Sequence, residues 1–121
     1  MSKHILAIDD EPDIRELLEA ALQAAGYRVS AVASASEAIS VLKKDPTDLI
    51  MTDLQLEETD GFEVIERLHA AAPDIPVILL TGVLFDPDTI EKTLGGKIVC
   101  YIQKTSPLSR ILREVERHLA K

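Results

Sequence analysis

The sequence predicts an α/β fold of the (βα)5 type, a three-layer sandwich with helices on both faces of a five-stranded parallel sheet. Five short apolar or β-branched runs recur along the chain, and a segment of helical period follows each of them. The first, third and fourth runs are almost wholly apolar, as strands covered on both faces are.

Ile5-Leu6-Ala7-Ile8 is the first strand and stops at Asp9-Asp10. Pro12 suits a helix's first turn, and Ile14, Leu17, Leu18, Ala21 and Leu22 repeat at helical spacing until Gly26. Arg28 to Val32 is the second strand. Ser34, with Glu37 three residues on, has the form of a capping box ahead of Ala38, Val41 and Leu42. Leu49-Ile50-Met51 is the third strand and ends at Thr52-Asp53. Phe62, Ile65 and Leu68 mark a third helix that stops before Pro73. Val77 to Leu80 is the fourth strand, ending at Thr81-Gly82. Asp86-Pro87-Asp88 opens a fourth helix with Ile90 and Leu94 on one face and Gly95-Gly96 as its stop. Ile98 to Ile102 is the fifth strand, ending at Gln103-Lys104. Ser106-Pro107 opens a fifth helix whose buried stripe is Leu108, Ile111, Leu112, Val115 and Leu119.

The 121 residues are one domain's worth of chain, so residues 1–121 are read as a single domain. Apolar residues at 46% and charged residues at 28% are globular values and argue against intrinsic disorder. No apolar run approaches the ~20 residues of a membrane span, and Met1 to His4 show no apolar signal-peptide core or small-residue cleavage site, so the expected location is cytoplasmic. Twenty-one acids against 13 bases give a net charge of −8, which disfavours direct nucleic-acid binding. The single cysteine, Cys100, excludes an internal disulfide and a cysteine-based metal cluster, and its apolar setting reads as a small buried hydrophobe. His4, His69 and His118 are far apart in sequence and off the strand ends. They read as surface or boundary residues, with no zinc site. Gly95-Gly96-Lys97 lacks the spacing of a phosphate-binding loop.

In a parallel sheet the carboxyl ends of the strands share one rim, and ligands bind there near the point where strand order reverses. That rim would carry Asp9, Asp10 and Glu11 from the first strand, Asp53 from the third, Thr81 from the fourth and Lys104 from the fifth. Each has an ordinary reading alone: acids before Pro12 can cap a helix, and a strand can end in Thr or Lys without consequence. Together they are a less ordinary set. Carboxylates within ~4 Å of one another repel by about 4 kcal/mol per pair at an effective dielectric near 20. A bound proton or cation relieves that repulsion. Oxygen donors without His or Cys suit Mg²⁺ or Mn²⁺, and Mg²⁺ commonly completes its shell with phosphate oxygens. A carboxylate can attack phosphorus to form an acyl phosphate, with an ammonium and a hydroxyl stabilising the transferring group. Gly82 leaves room for its approach.

Ile8-Asp9-Asp10-Glu11-Pro12, Asp53 followed by Asp60-Gly61, Thr81-Gly82 and Lys104, in this order and at these separations, resemble the receiver domain of bacterial two-component response regulators. The resemblance spans essentially the whole chain and implies the flavodoxin-like strand order 2-1-3-4-5. It implies Asp53 as the phosphoryl acceptor. Asp9 and Asp10 would bind the metal, Asp10 directly, with Asp53 and the backbone carbonyl of Gln55 completing the protein's share of the shell. Thr81, Gly82 and Lys104 would stabilise the phosphoryl group, and Tyr101 would be the aromatic that moves with the switch. Without the resemblance, Tyr101 reads as a half-buried strand aromatic.

The chain departs from the family pattern in three places. Thr105 follows Lys104 where proline is usual, so the preceding bond is either trans or a cis bond held at a cost of ~3–4 kcal/mol. Glu57 stands where proline commonly follows the acceptor by four. Gly95-Gly96-Lys97-Ile98 replaces the usual entry to strand five, with a residue extra.

The function so implied is a phosphorylation switch rather than an enzyme. A sensor histidine kinase or histidine phosphotransfer protein would supply the phosphoryl group. The surface of helix four, strand five and helix five would respond, and could also dimerise or meet an output target. Two other classes compete. A phosphohydrolase of the haloacid dehalogenase type needs a general acid two residues after its nucleophile, and Gln55 cannot supply a proton. A phosphorylation-independent docking module has no need of the acid cluster.

Overall fold

The computed structural model describes residues 3–53, 55–56, 59–81, 88, 92 and 96–119, with 55–56 and 59–62 seen through their backbone. The elements are β1 (His4–Ile8), α1 (Pro12–Ala24), β2 (Arg28–Val32), α2 (Ala35–Lys44), β3 (Leu49–Thr52), β4 (Gln55–Leu56), β5 (Thr59–Asp60), α3 (Gly61–Ala71), β6 (Val77–Thr81), β7 (Cys100–Gln103) and α4 (Leu108–Leu119). Five parallel strands form one sheet in the order β2-β1-β3-β6-β7. Counting sheet strands alone, this is the order 2-1-3-4-5. Of the fourth helix in the sequence pattern, Asp88 and Lys92 are helical and the rest lies outside the described residues; α4 is the fifth.

Side-chain alternation along the central strands builds two cores. Ile5, Leu49, Met51, Ile78, Leu80 and Ile102 face one way and bury Leu18 and Leu22 of α1 with Ile111, Val115 and Leu119 of α4. Leu6, Ile8, Ile50 and Val77 face the other way, against Ala35 and Ala38 of α2 and Val64 and Leu68 of α3. Ile65 and Leu79 extend that second core toward Ile98 and Tyr101. β1, β3 and β6 are buried throughout, whereas the edge strands β2 and β7 are only partly covered. This is why three of the five runs are nearly all apolar. Chain order reverses between β1 and β3: the first crossover runs from β1 out to β2, and the next returns past β1 to β3.

Local signals set the element ends. α1 closes on Ala25, and Gly26 follows at φ +100°, a left-handed conformation that glycine adopts without strain. Ser34 Oγ accepts the Glu37 N–H at 3.3 Å, as a cap should. The reciprocal half differs from a full capping box, because Glu37 Oε1 accepts from the Ser34 hydroxyl at 3.5 Å. β7 starts at Cys100, two residues later than the apolar run suggests. Gly96, at φ +85°, turns the chain, Lys97 pairs with Glu66 of α3 at 3.2 Å, and Val99 N–H bonds Val77 O before regular pairing begins. β4 and β5 form an antiparallel ribbon of two rungs, too short to leave a period in the sequence.

His4 corrects the surface reading. It is buried, and its ring bridges Pro46 O and Ser30 Oγ, each at 2.8 Å. A carbonyl can only accept, so Nδ1 carries the proton directed at Pro46. Its backbone N–H bonds Asp48 Oδ2 at 2.8 Å, tying the start of β1 to the approach to β3. Among the described residues no buried side-chain polar atom lacks a partner, and no helix is long and apolar enough to cross a membrane.

Replacing His4 with Leu leaves the Pro46 carbonyl and the Ser30 hydroxyl without their partner. The expected cost is about 2 kcal/mol in urea unfolding, whereas Ser30→Ala, at a half-buried edge position, costs less than about 1 kcal/mol.

Candidate functional site

Three backbone hydrogen bonds continue the strand pairing past the strand ends. Asp9 N–H bonds Val32 O at 3.0 Å, Asp53 N–H bonds Ile8 O at 3.2 Å, and Lys104 N–H bonds Thr81 O at 2.8 Å. Their effect is to hold Asp9, Asp53, Thr81 and Lys104 on one rim. Asp9 and Asp53 end neighbouring strands at the point where chain order reverses.

Asp9, Asp53 and Thr81 are buried, Asp10 is half-buried and Glu11 is exposed. Asp9, Asp10, Glu11 and Asp53 each bring a carboxylate oxygen within 4.8 Å of the others. Lys104 Nζ enters this group and contacts Asp53 Oδ2 at 2.6 Å, Asp9 Oδ2 at 2.8 Å and Glu11 Oε1 at 2.8 Å. An ammonium has three donors, and here three carboxylates match them. Glu11 occupies the N-cap position of α1 without a side-chain cap bond, since its carboxylate is turned to Lys104. Asp9 takes part of the capping role: its Oδ1 accepts the Glu11 N–H at 2.9 Å. Arg15 reaches back from α1 to donate to Asp9 O at 2.9 Å, and the Thr52 hydroxyl donates to Asp53 O at 3.1 Å.

The electrostatics follow from burial among like charges. Burial pushes the Asp9 carboxyl above its ordinary range and the Asp53 charge adds to that, while hydrogen bonds from Lys104 and the Glu11 N–H pull against it. Ionised Asp9 therefore works against folding at neutral pH. Burial alone would lower Lys104, but hydrogen bonds to Asp53, Asp9 and Glu11 outweigh it and hold the ammonium well above the usual lysine range. Four clustered carboxylates and no nitrogen or sulfur donor make a hard-oxygen set, the kind that fits Mg²⁺ or Mn²⁺.

The other residues singled out in the sequence fall as follows. Gln55 is the first residue of β4, two after Asp53. Gly82, Glu57 and Gly95 lie outside the described residues. Tyr101 is half-buried and packs beside Ile65 and Leu79, on the face opposite α4. The Lys104–Thr105 bond is trans. The pairing of Glu11 with Lys104 leaves no local signal in the sequence, because 93 residues separate the two.

Comparison with known proteins places the chain in a family. A family model described as the response regulator receiver domain fits residues 5–116. The chain belongs to that family. This receiver domain is 35% identical over 112 residues to the response regulator SaeR of Staphylococcus aureus, covering 91% of this chain and 48% of SaeR. It spans between about a fifth and a half of the length of the curated relatives it matches. Among solved structures, a CheY-like receiver domain protein from Methanospirillum hungatei superposes with a TM-score of 0.90 at 25% identity, covering 99% of this chain and 95% of that one. TrrA of Thermotoga maritima, a response regulator solved in complex with Mg(2+)-BeF, superposes at 0.83 with 29% identity, covering 97% and 99%. The receiver fold of two-component signalling thus accounts for the strand order.

Lys104 gives a measurable pH signature. Its proton leaves near pH 10.5 in the unfolded chain and at higher pH in the folded one. The contribution is therefore intact below pH 10.5 and falls away as pH rises through the folded value. Lys104→Met should lower the unfolding free energy by about 3 kcal/mol at neutral pH without divalent ions, and on raising the pH that gap should start to narrow above about pH 10.5.

Proposed function

We propose that this receiver domain accepts a phosphoryl group on Asp53 with Mg²⁺ bound at the acid cluster. The observation that carries the reading is the meeting of Asp53 with Asp9, Asp10 and Lys104 at the reversal point of the sheet. The donor would be the phosphohistidine of a sensor histidine kinase or histidine phosphotransfer protein, the partners that relatives named as response regulators support. A carboxylate oxygen of Asp53 forms the new P–O bond as the donor's P–N bond breaks, leaving an acyl phosphate and the donor imidazole.

Asp9, Asp10, Asp53 and the backbone carbonyl of Gln55 would hold the Mg²⁺, which when bound offsets charge on the phosphoryl oxygens. The complex of TrrA with Mg(2+)-BeF supports that metal. Burial of Asp53 keeps bulk water from its carboxylate. Lys104 stands in contact with Asp53 and would shift one donor from carboxylate to phosphoryl oxygen. Thr81, buried at the end of the adjacent strand β6, would give a hydroxyl to another oxygen, and Gly82 would leave the space for it.

The acquired charge would alter the partners of Thr81 and Lys104. Because Lys104 follows β7 directly, that change would pass to Tyr101 and to the surface formed by the fourth helix of the sequence pattern, β7 and α4. An output target or a second copy would read that surface. The chain then acts as a switch whose only reactions are its own phosphorylation and slow dephosphorylation, and its expected place is the cytoplasm.

Incubation with acetyl phosphate and Mg²⁺ should add one phosphoryl group to the wild type by intact mass. Asp53→Asn should add none, and equal uptake by that variant would remove the acceptor assignment. Mg²⁺ at about a hundred times its dissociation constant should stabilise the wild type by about 2.7 kcal/mol, with most of the effect lost in Asp10→Asn.

A further inference from the structure

A second ligand set lies at the opposite end of β7. Glu114 and His118 are four residues apart on α4 and so share one face, a turn from each other. Cys100 opens β7 and, two residues from Ile102, points to the same side of the sheet, where both join the core that contains Ile111 and Val115. The buried stripe of α4 seats the helix on the sheet, and its flank carries Glu114 and His118 to the start of β7. One ligand atom from each of Cys100, Glu114 and His118 lies within 4.8 Å of the other two. The four residues from Cys100 to Lys104 span about 13 Å of strand, so this set is separate from the acid rim.

We propose that Cys100, Glu114 and His118 form a Zn²⁺ site that ties the edge strand β7 to α4. Thiolate, imidazole and carboxylate are the donors Zn²⁺ prefers, in contrast to the all-oxygen acid rim. Tetrahedral Zn²⁺, with arms of about 2.0–2.3 Å, sets ligand atoms about 3.3–3.6 Å apart. His118 Nε2 and Glu114 Oε2 already stand 3.7 Å apart. No remaining separation exceeds 4.8 Å, so each needs to close by at most about 1.5 Å, within reach of side-chain rotation. All three residues are half-buried, leaving a solvent-facing fourth position for water.

Neighbouring charges permit this arrangement. Arg117, whose Nη1 lies 3.8 Å from Glu114 Oε1, is largely exposed and can turn to solvent as the carboxylate engages the ion. Burial and the Glu114 charge push the Cys100 thiol up to about 11, with Arg110 and Arg117 pulling the other way. Binding forms the Zn–S bond and releases the thiol proton to solvent. The sequence offered one cysteine and scattered histidines; folding supplies the third ligand and the proximity.

The site does not rest on the phosphoacceptor reading, and one experiment separates the two. Tag-free protein in excess Mg²⁺, a competitor for any all-oxygen site, is titrated with Zn²⁺ against a chromophoric chelator and, in parallel, with Co²⁺. The wild type should bind one equivalent of Zn²⁺ and show a thiolate-to-cobalt charge-transfer band. Cys100→Ser should lose the band and weaken Zn²⁺ about a hundredfold, and His118→Gln should weaken it at least about tenfold while keeping the band. Asp53→Asn should bind as the wild type does. No charge-transfer band in the wild type, undiminished Zn²⁺ binding in both ligand variants, or loss of binding in Asp53→Asn would each overturn the proposal.

Discussion

The Lys104 ammonium is what allows four carboxylates to share the carboxyl rim of the sheet. Each pair of like charges at such separations costs about 4 kcal/mol at an effective dielectric near 20. Asp9 and Asp53 are buried, so water screens them poorly. One ammonium within 2.8 Å of Asp9, Glu11 and Asp53 offsets much of that repulsion. It leaves a net excess of negative charge at the rim, and that excess is what makes the site attractive to a divalent ion.

The rest of the fold positions that cluster. Two cores, one on each face, depend on strict alternation along β1, β3 and β6. A slip of one residue in any of these strands would exchange the side chains fitted to the two cores and shift the strand end by one position, so packing and rim fix the same register. Register in turn sets where each strand stops, and the backbone bonds beyond Ile8, Thr52 and Thr81 carry it onto Asp9, Asp53 and Lys104. Packing precision and site geometry are the same constraint seen at two places. The trans bond at Thr105 fits this picture: Lys104 is placed by its own N–H on Thr81 O, with no contribution from a proline after it.

Much of the fold was legible because hydrophobic period is a local property. The apolar runs at Ile5, Leu49 and Val77 announced buried strands, and Gly26 and Ser34 announced helix ends. Features without local period were harder to read. The β4–β5 ribbon has two rungs, and the late start of β7 reflects a left-handed glycine and a lysine pair rather than any change in apolar content. His4 read as a boundary residue because its partners, Ser30 and Pro46, belong to other segments. The acid rim was legible for another reason: in a parallel sheet, the residue after each strand must land on the same edge.

By itself the sequence determined the (βα)5 class, the apolar faces of each element and the identity of the polar residues at the strand ends. These follow from side-chain period and turn chemistry, which act over a few residues. Only the tertiary structure decided which charges neutralise one another, why Glu11 abandons its cap for Lys104, and that Cys100 meets Glu114 and His118. Such pairings join segments up to 93 residues apart. Their distances are set by strand order and by how each helix seats on the sheet, and neither is written in any local stretch of chain.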